Sequence, residues 1–95
     1  MTEVLKALSD PNRRKILRLL GSGELNAGDI GHDFDLTAPT LSHHLSILKK
    51  TDLVRVRRDG TQLIYSLNTT VMQDAAAAIL DFIPQENLKH KNESQ

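Results

Sequence analysis

Three groups of residues carry side chains that could do chemistry. Thr37, Pro39, Thr40, Ser42, His43 and Ser46 bring hydroxyls and an imidazole together along a short stretch. Arg57, Arg58, Gly60 and Gln62 place two cations and an amide around a turn-forming glycine. His32, His43, His44 and His90, with the carboxylates around them, supply metal-ligand types. Hydroxyls and imidazoles can bond base edges or phosphates, and arginines on a hairpin tip suit phosphates or a minor groove. Nucleophilic catalysis fits poorly. Ser42 and His43 are adjacent, and neighbours on a helix cannot form the contact between a nucleophile and its base. Gly21-Ser22-Gly23 precedes no strand-to-helix unit that would cradle a phosphate. His43 and His44 diverge by about 100° on a helix, so the histidines offer no compatible ligand set. The sequence reads as a non-enzyme without a cofactor.

The elements that must position these residues follow from local signals. Val4, Leu5 and Leu8 form a short helical stripe. Asp10 is placed to cap a second helix, with Pro11 in its first position, where a missing N–H costs nothing. Ile16, Leu17 and Leu20 line one side of that helix, and Arg14, Lys15 and Arg18 another. Gly21-Ser22-Gly23 ends it, and Glu24-Leu25 suits a brief strand. Asn26 caps a helix in which Ile30 and Phe34 face inward at i and i+4, weakened by Gly28 and Gly31. Thr37 caps the next, starting near Ala38-Pro39, with Leu41, Leu45 and Leu48 as its buried stripe.

From Leu53 to Asn68 the pattern alternates. Val54 and Val56 are interleaved with Arg55 and Arg57, Asp59-Gly60 signals a two-residue turn, and Leu63, Tyr65 and Leu67 continue with period two. Thr69 or Thr70 caps a last helix running to about Ile83 and ended by Pro84. The expected fold is mainly α with a β-hairpin wing, a winged helix-turn-helix over residues 1–84. Residues 85–95 form a polar tail, expected to fray.

Composition bounds the rest. The chain has 95 residues, enough for one small core. Twelve Lys and Arg balance twelve Asp and Glu. That neutrality hides segregation. Arg13, Arg14, Lys15 and Arg18 stand without an acid, Glu24, Asp29, Asp33 and Asp35 without a base, and Lys49, Lys50, Arg55, Arg57 and Arg58 oppose Asp52 alone. A neutral chain can therefore present one basic face to a polyanion. Cysteine is absent, which removes disulfides and thiol chemistry. Aromatics are 3%, too few for a stacking platform on single strands. No run has the length of a membrane span and no signal peptide is recognisable, so the expectation is a soluble, cytoplasmic protein without membrane insertion.

The last helix is more apolar than a small core requires. Val71, Ala75, Ile79, Phe82 and Ile83, with Val4, Leu5 and Leu8 of the first helix, are the expected interface of a homodimer. Twofold pairing would set two recognition helices about 34 Å apart, one turn of double-stranded DNA.

The series Leu5-Lys6-Ala7-Leu8-Ser9-Asp10-Pro11-Asn12-Arg13-Arg14-Lys15-Ile16-Leu17, then Ser42-His43-His44-Leu45-Ser46-Ile47-Leu48, then Leu53-Val54 and an Arg-rich hairpin with Gly60 and Tyr65, resembles the ArsR/SmtB winged-helix repressors over residues 3–83. Tyr65 to Val71, with Gln73-Asp74, resembles the SdpR-like autorepressor branch. The resemblance implies a homodimeric repressor that covers operator DNA, its own or a neighbouring operon's, and is released by a signal. It implies DNA contacts at Thr37, Pro39, Thr40, Ser42, His43 and Ser46, wing contacts at Arg57, Arg58, Gly60 and Gln62, and a packing role for His44. The branch further implies that a membrane or other protein relieves repression. The family's metal positions are not matched. A Cys-x-Cys pair would fall around Ala27–Asp35, and the partners of His90 and Glu93 would fall on Ala77 and Ile79. A second reading of the same pattern is a winged-helix protein-interaction module docking through the acidic run Glu24–Asp35.

Overall fold

The computed structural model describes residues 1–84. The expected tail 85–95, with His90 and Glu93, lies outside the described residues. The order is α1 (Thr2–Leu8), α2 (Pro11–Leu20), β1 (Leu25–Asn26), α3 (Ala27–Gly31), α4 (Ala38–Lys50), β2 (Val54–Asp59), β3 (Gln62–Leu67) and α5 (Thr69–Leu80). The strands form one antiparallel sheet in the order β1-β3-β2. This is the winged helix-turn-helix expected from the sequence.

Capping chemistry sets the helix starts. The Asp10 carboxylate accepts from the Arg13 N–H at 3.0 Å and Pro11 opens α2. Asn26 Oδ1 accepts from the Asp29 N–H at 2.8 Å to start α3, and Thr37 Oγ1 accepts from the Thr40 N–H at 3.3 Å to start α4. Ile16, Ile30, Leu48 and Leu53 are fully buried, joined by Leu17, Leu20, Leu45, Val54 and Tyr65. The core thus lies between α2, the α3–α4 pair and the inner face of the sheet. Gly31 permits the close packing of that pair, since a Cβ there would stand 3.2 Å from Leu41 Cδ2.

α4 ends in a turn that delivers the chain straight into β2. Asp52 takes a left-handed conformation (φ 61), the Asp52 N–H bonds the Lys49 carbonyl at 3.1 Å and the Leu53 N–H bonds the Leu48 carbonyl at 3.0 Å. This is a Schellman motif with aspartate where glycine is usual, sealed by the apolar pair Leu48 and Leu53.

Several boundaries differ from the sequence expectation. β1 is Leu25–Asn26, so Glu24 precedes the strand and Asn26 both pairs with Ile64 and caps α3. α3 stops at Gly31, and Phe34 packs half-buried against the core from a turn beyond it. The glycines leave that helix too weak to extend. Asp59 pairs with Gln62, so the turn residues are Gly60 and Thr61, one step later than the Asp-Gly signal. A positive φ is needed only at Gly60 (φ +64). Asn68, not Thr69 or Thr70, precedes the first turn of α5. The helix closes at Leu80 rather than Ile83, because the Phe82 and Ile83 N–H groups reach back only three residues, to Ile79 and Leu80. Pro84 keeps the helix from resuming, since it disfavours helical geometry at Ile83.

Candidate nucleic-acid interface

Every residue expected on the DNA-facing helix is exposed: Thr37, Pro39, Thr40, Ser42, His43 and Ser46. Pro39, Ser42, His43 and Ser46 fall at i, i+3, i+4 and i+7, one stripe on the side away from Leu41, Leu45 and Leu48. The stripe continues into exposed Lys49 and Lys50 in the last turn of α4. It therefore runs from small hydroxyls to two cations, types that can bond base edges at one end and phosphates at the other. The Thr37 hydroxyl also donates to Thr40 Oγ1 at 2.8 Å, so these two side chains fix each other at the start of the stripe. Ser42 lines a groove of about 500 Å³ between α3, the start of α4 and the wing residues Leu63 and Tyr65. Helix and wing thus border one surface.

His44 follows His43 by one residue and points the other way. It is 8% exposed. Its Nδ1 lies 3.2 Å from Arg13 Nη1 and 3.8 Å from an Asp10 carboxylate oxygen. Arg13 also donates through Nε to the Ala7 carbonyl at 2.7 Å and through Nη2 to the Lys6 carbonyl at 3.4 Å. These bonds tie α4 to the joint between α1 and α2. Among the described residues no three His, Cys, Asp or Glu side chains come together as a metal site would require.

The wing divides its cations. In the β2–β3 register, Arg58 stands opposite Leu63 and Arg57 opposite Ile64. Side chains alternate faces along a strand, so Arg58 shares the inner face with Val56 and Tyr65, while Arg57 lies on the outer face. Arg57 is already engaged. Its Nε and Nη2 donate to the two carboxylate oxygens of Glu24 at 3.3 and 3.1 Å. That hydrogen bonding, and then the guanidinium charge, holds the Glu24 carboxyl below its usual range, and the carboxylate raises Arg57 in turn. Gln62 Oε1 accepts from Asn26 Nδ2 at 3.3 Å. Arg58 enters none of the ion pairs among the described residues, and Gly60 is exposed at the tip.

Sequence reasoning placed Glu24 in an acidic run but did not pair it with Arg57. Its partner is 33 residues away and meets it only through the strand order.

The surface expected for dimerisation is mixed. Val4, Leu5, Leu8 and Val71 are half-buried, and Ile79, Phe82 and Ile83 are exposed, Phe82 at 78%. Ala75 is 2% exposed within the single chain, so its side chain is turned inward rather than offered to a partner.

Known proteins share this arrangement. The family model described as "Bacterial regulatory protein, arsR family" matches residues 10–56, from the α2 cap into β2. The transcriptional repressor SdpR of Bacillus subtilis (strain 168) is 51% identical over 83 residues, 87% of this chain and 92% of that protein. The arsenical resistance operon repressor of Staphylococcus aureus is 43% identical over 74 residues, 78% of this chain and 71% of that protein. Among solved structures, NolR from Sinorhizobium fredii superposes with a TM-score of 0.71 at 29% identity, covering 86% of this chain and 82% of that one. An ArsR-like transcriptional regulator from Rhodococcus sp. RHA1 shares the fold with a TM-score of 0.76 at 24% identity, covering 97% and 86%. With the helix stripe, the wing and these relatives in agreement, the chain belongs to the ArsR family of bacterial regulatory proteins and is a DNA-binding transcriptional regulator, not an enzyme.

Proposed function

We propose that the protein acts as a homodimeric repressor of its own or a neighbouring operon, occupying double-stranded operator DNA in the cytoplasm. The observation that carries this reading is the single exposed stripe of α4, from Pro39 to Lys50, beside a wing with Arg58 and Gly60 at its end. Ser42 and His43 read base edges, Thr37, Thr40 and Ser46 fix register through the backbone, and Lys49, Lys50 and Arg58 neutralise phosphates. Pro39 shapes the first turn that enters the groove.

The dimer forms through α1 and α5. Val4, Leu5, Leu8 and Val71 border the interface, and Ile79, Phe82 and Ile83 supply its exposed apolar area. Exposed large apolar side chains this close in sequence suit burial against a second copy. A twofold axis there spaces two α4 helices by about one DNA turn, roughly 34 Å.

Release comes from a membrane or other protein, as the resemblance to the SdpR-like branch implies, rather than from an ion at the family's usual positions. The chain has no cysteine, and alanine and isoleucine stand at residues 77 and 79.

The decisive experiment pairs sedimentation velocity with fluorescence anisotropy on the DNA upstream of the coding sequence, with and without divalent metals and chelator. A dimer that binds this duplex saturably, with affinity falling steeply in salt and indifferent to metal, supports the proposal. A monomer, or a duplex bound no better than random DNA, overturns it. A stoichiometric protein partner recovered without operator binding favours the interaction-module reading.

A further inference from the structure

Residues 23–26 and the wing meet on the outer face of the sheet. Gly23 takes a positive φ (+142), open to glycine and strained for other residues, as the chain turns out of α2 towards β1. Strand β3 lies between β1 and β2, and its Ile64 pairs with Asn26 on one side and Arg57 on the other. Glu24 sits two residues before Asn26. The Arg57 side chain therefore reaches across β3 to meet it, away from the hairpin tip. Both ends of the carboxylate are used, and so are two of the guanidinium's donor nitrogens. The side chains are 56% and 48% exposed, so the pair stands in water where a competing anion can reach it. Pairs this exposed contribute little to folding. Their effect on a third charge is larger, because a paired cation releases fewer counterions when DNA arrives and its acid repels the phosphates.

We propose that Glu24 is an affinity-setting residue of the DNA interface: its carboxylate holds the Arg57 guanidinium across the sheet and so limits how tightly the wing grips any duplex. This rests on the reading of the wing as a phosphate contact. Arg58 is the working cation of the tip, and Arg57 is a second one held back. The limit acts alike on all sequences, because phosphates carry no base information. It keeps non-specific binding low without altering base readout. Arg57 is thus a conditional contact rather than a permanent one.

The test compares wild type, Glu24→Gln and the double variant Glu24→Gln/Arg57→Gln. Each is titrated against a duplex of the protein's own upstream DNA and against a scrambled duplex of equal length, over a range of salt. Glu24→Gln tightens binding to both duplexes by roughly five-fold and steepens the plot of log affinity against log salt by about 0.9, one added phosphate contact. The double variant loses that gain and that slope. Thermal melting of each variant confirms the fold. An unchanged or weaker Glu24→Gln overturns the proposal, and so does a double variant that keeps the full gain, because the effect would then not pass through Arg57. Failure of wild type to bind either duplex would instead strike the reading of the wing.

Discussion

Arg13 Nη1 lies 3.2 Å from Nδ1 of His44, 31 residues away, and joins the recognition helix to the start of α2. A guanidinium only donates, so this contact is a hydrogen bond while Nδ1 is unprotonated. The same arginine donates to the Ala7 carbonyl at the end of α1 and, at 3.4 Å, to the Lys6 carbonyl, which also accepts from the Ser9 N–H and hydroxyl. One side chain therefore closes α1 and holds α4 in place.

Replacing Arg13 with Ala removes these bonds and leaves a part-buried ring nitrogen and the Ala7 carbonyl short of a donor. The expected cost is about 2 kcal/mol of unfolding free energy, read from urea titrations. Arg13→Lys recovers only part of it, because an ammonium cannot reproduce the planar fork. Full recovery by lysine would show that charge alone matters.

Asp10 gives the fold an acid-sensitive element. Burial pushes its carboxyl up, but the Arg13 backbone N–H, the His44 and Arg13 charges and the Asn12 N–H outweigh this, and the net shift is downward. A carboxyl depressed in the folded state stabilises fully above its unfolded value and loses that contribution as pH falls through the folded one. Stability should therefore drop below about pH 4. Asp10→Asn keeps the helix cap and should flatten that part of the pH profile. An unchanged profile in urea midpoints between pH 7 and pH 3 would assign the acid sensitivity elsewhere.

The left-handed Asp52 offers a route to greater stability. Aspartate tolerates this region better than most residues, but glycine has no Cβ to strain. Asp52→Gly should stabilise by a few tenths to about 1 kcal/mol, measured as a higher urea midpoint with an unchanged slope. Leu48→Ala, beneath the same turn and 0% exposed, should cost about 2–5 kcal/mol.

Helix and wing should separate in DNA binding. Ser42→Ala and His43→Ala should change which base pairs are preferred, each by about 1–3 kcal/mol at the affected position. Arg58→Ala should weaken all duplexes alike and flatten the salt slope by about 0.9. Selection from a randomised duplex pool, followed by salt titration, distinguishes the two effects. Unaltered preference in the helix variants would remove Ser42 and His43 from base readout.

Much of this architecture was legible because its causes are local. Asp10, Asn26 and Thr37 cap helices through bonds to residues three positions on, and Leu41, Leu45 and Leu48 show their common face by spacing alone. What the sequence concealed depends on partners far along the chain. The turn moved to Gly60-Thr61 because strand register, not dipeptide preference, decides which residues leave the ladder. Phe34 faces inward as expected but from a turn, since core packing can bury a ring that no helix carries. Arg57 read as an open cation until β3 brought Glu24 within reach. Ala75 fitted an apolar stripe, but periodicity cannot say whether the neighbour covering it is the same chain or another.

The turn at Thr51-Asp52-Leu53 has a mechanical consequence. Two backbone bonds and two fully buried leucines leave no slack between α4 and β2. In a repressor of the proposed kind, α4 and the hairpin would then move as one arm, and a releasing signal would loosen both footholds on the duplex together.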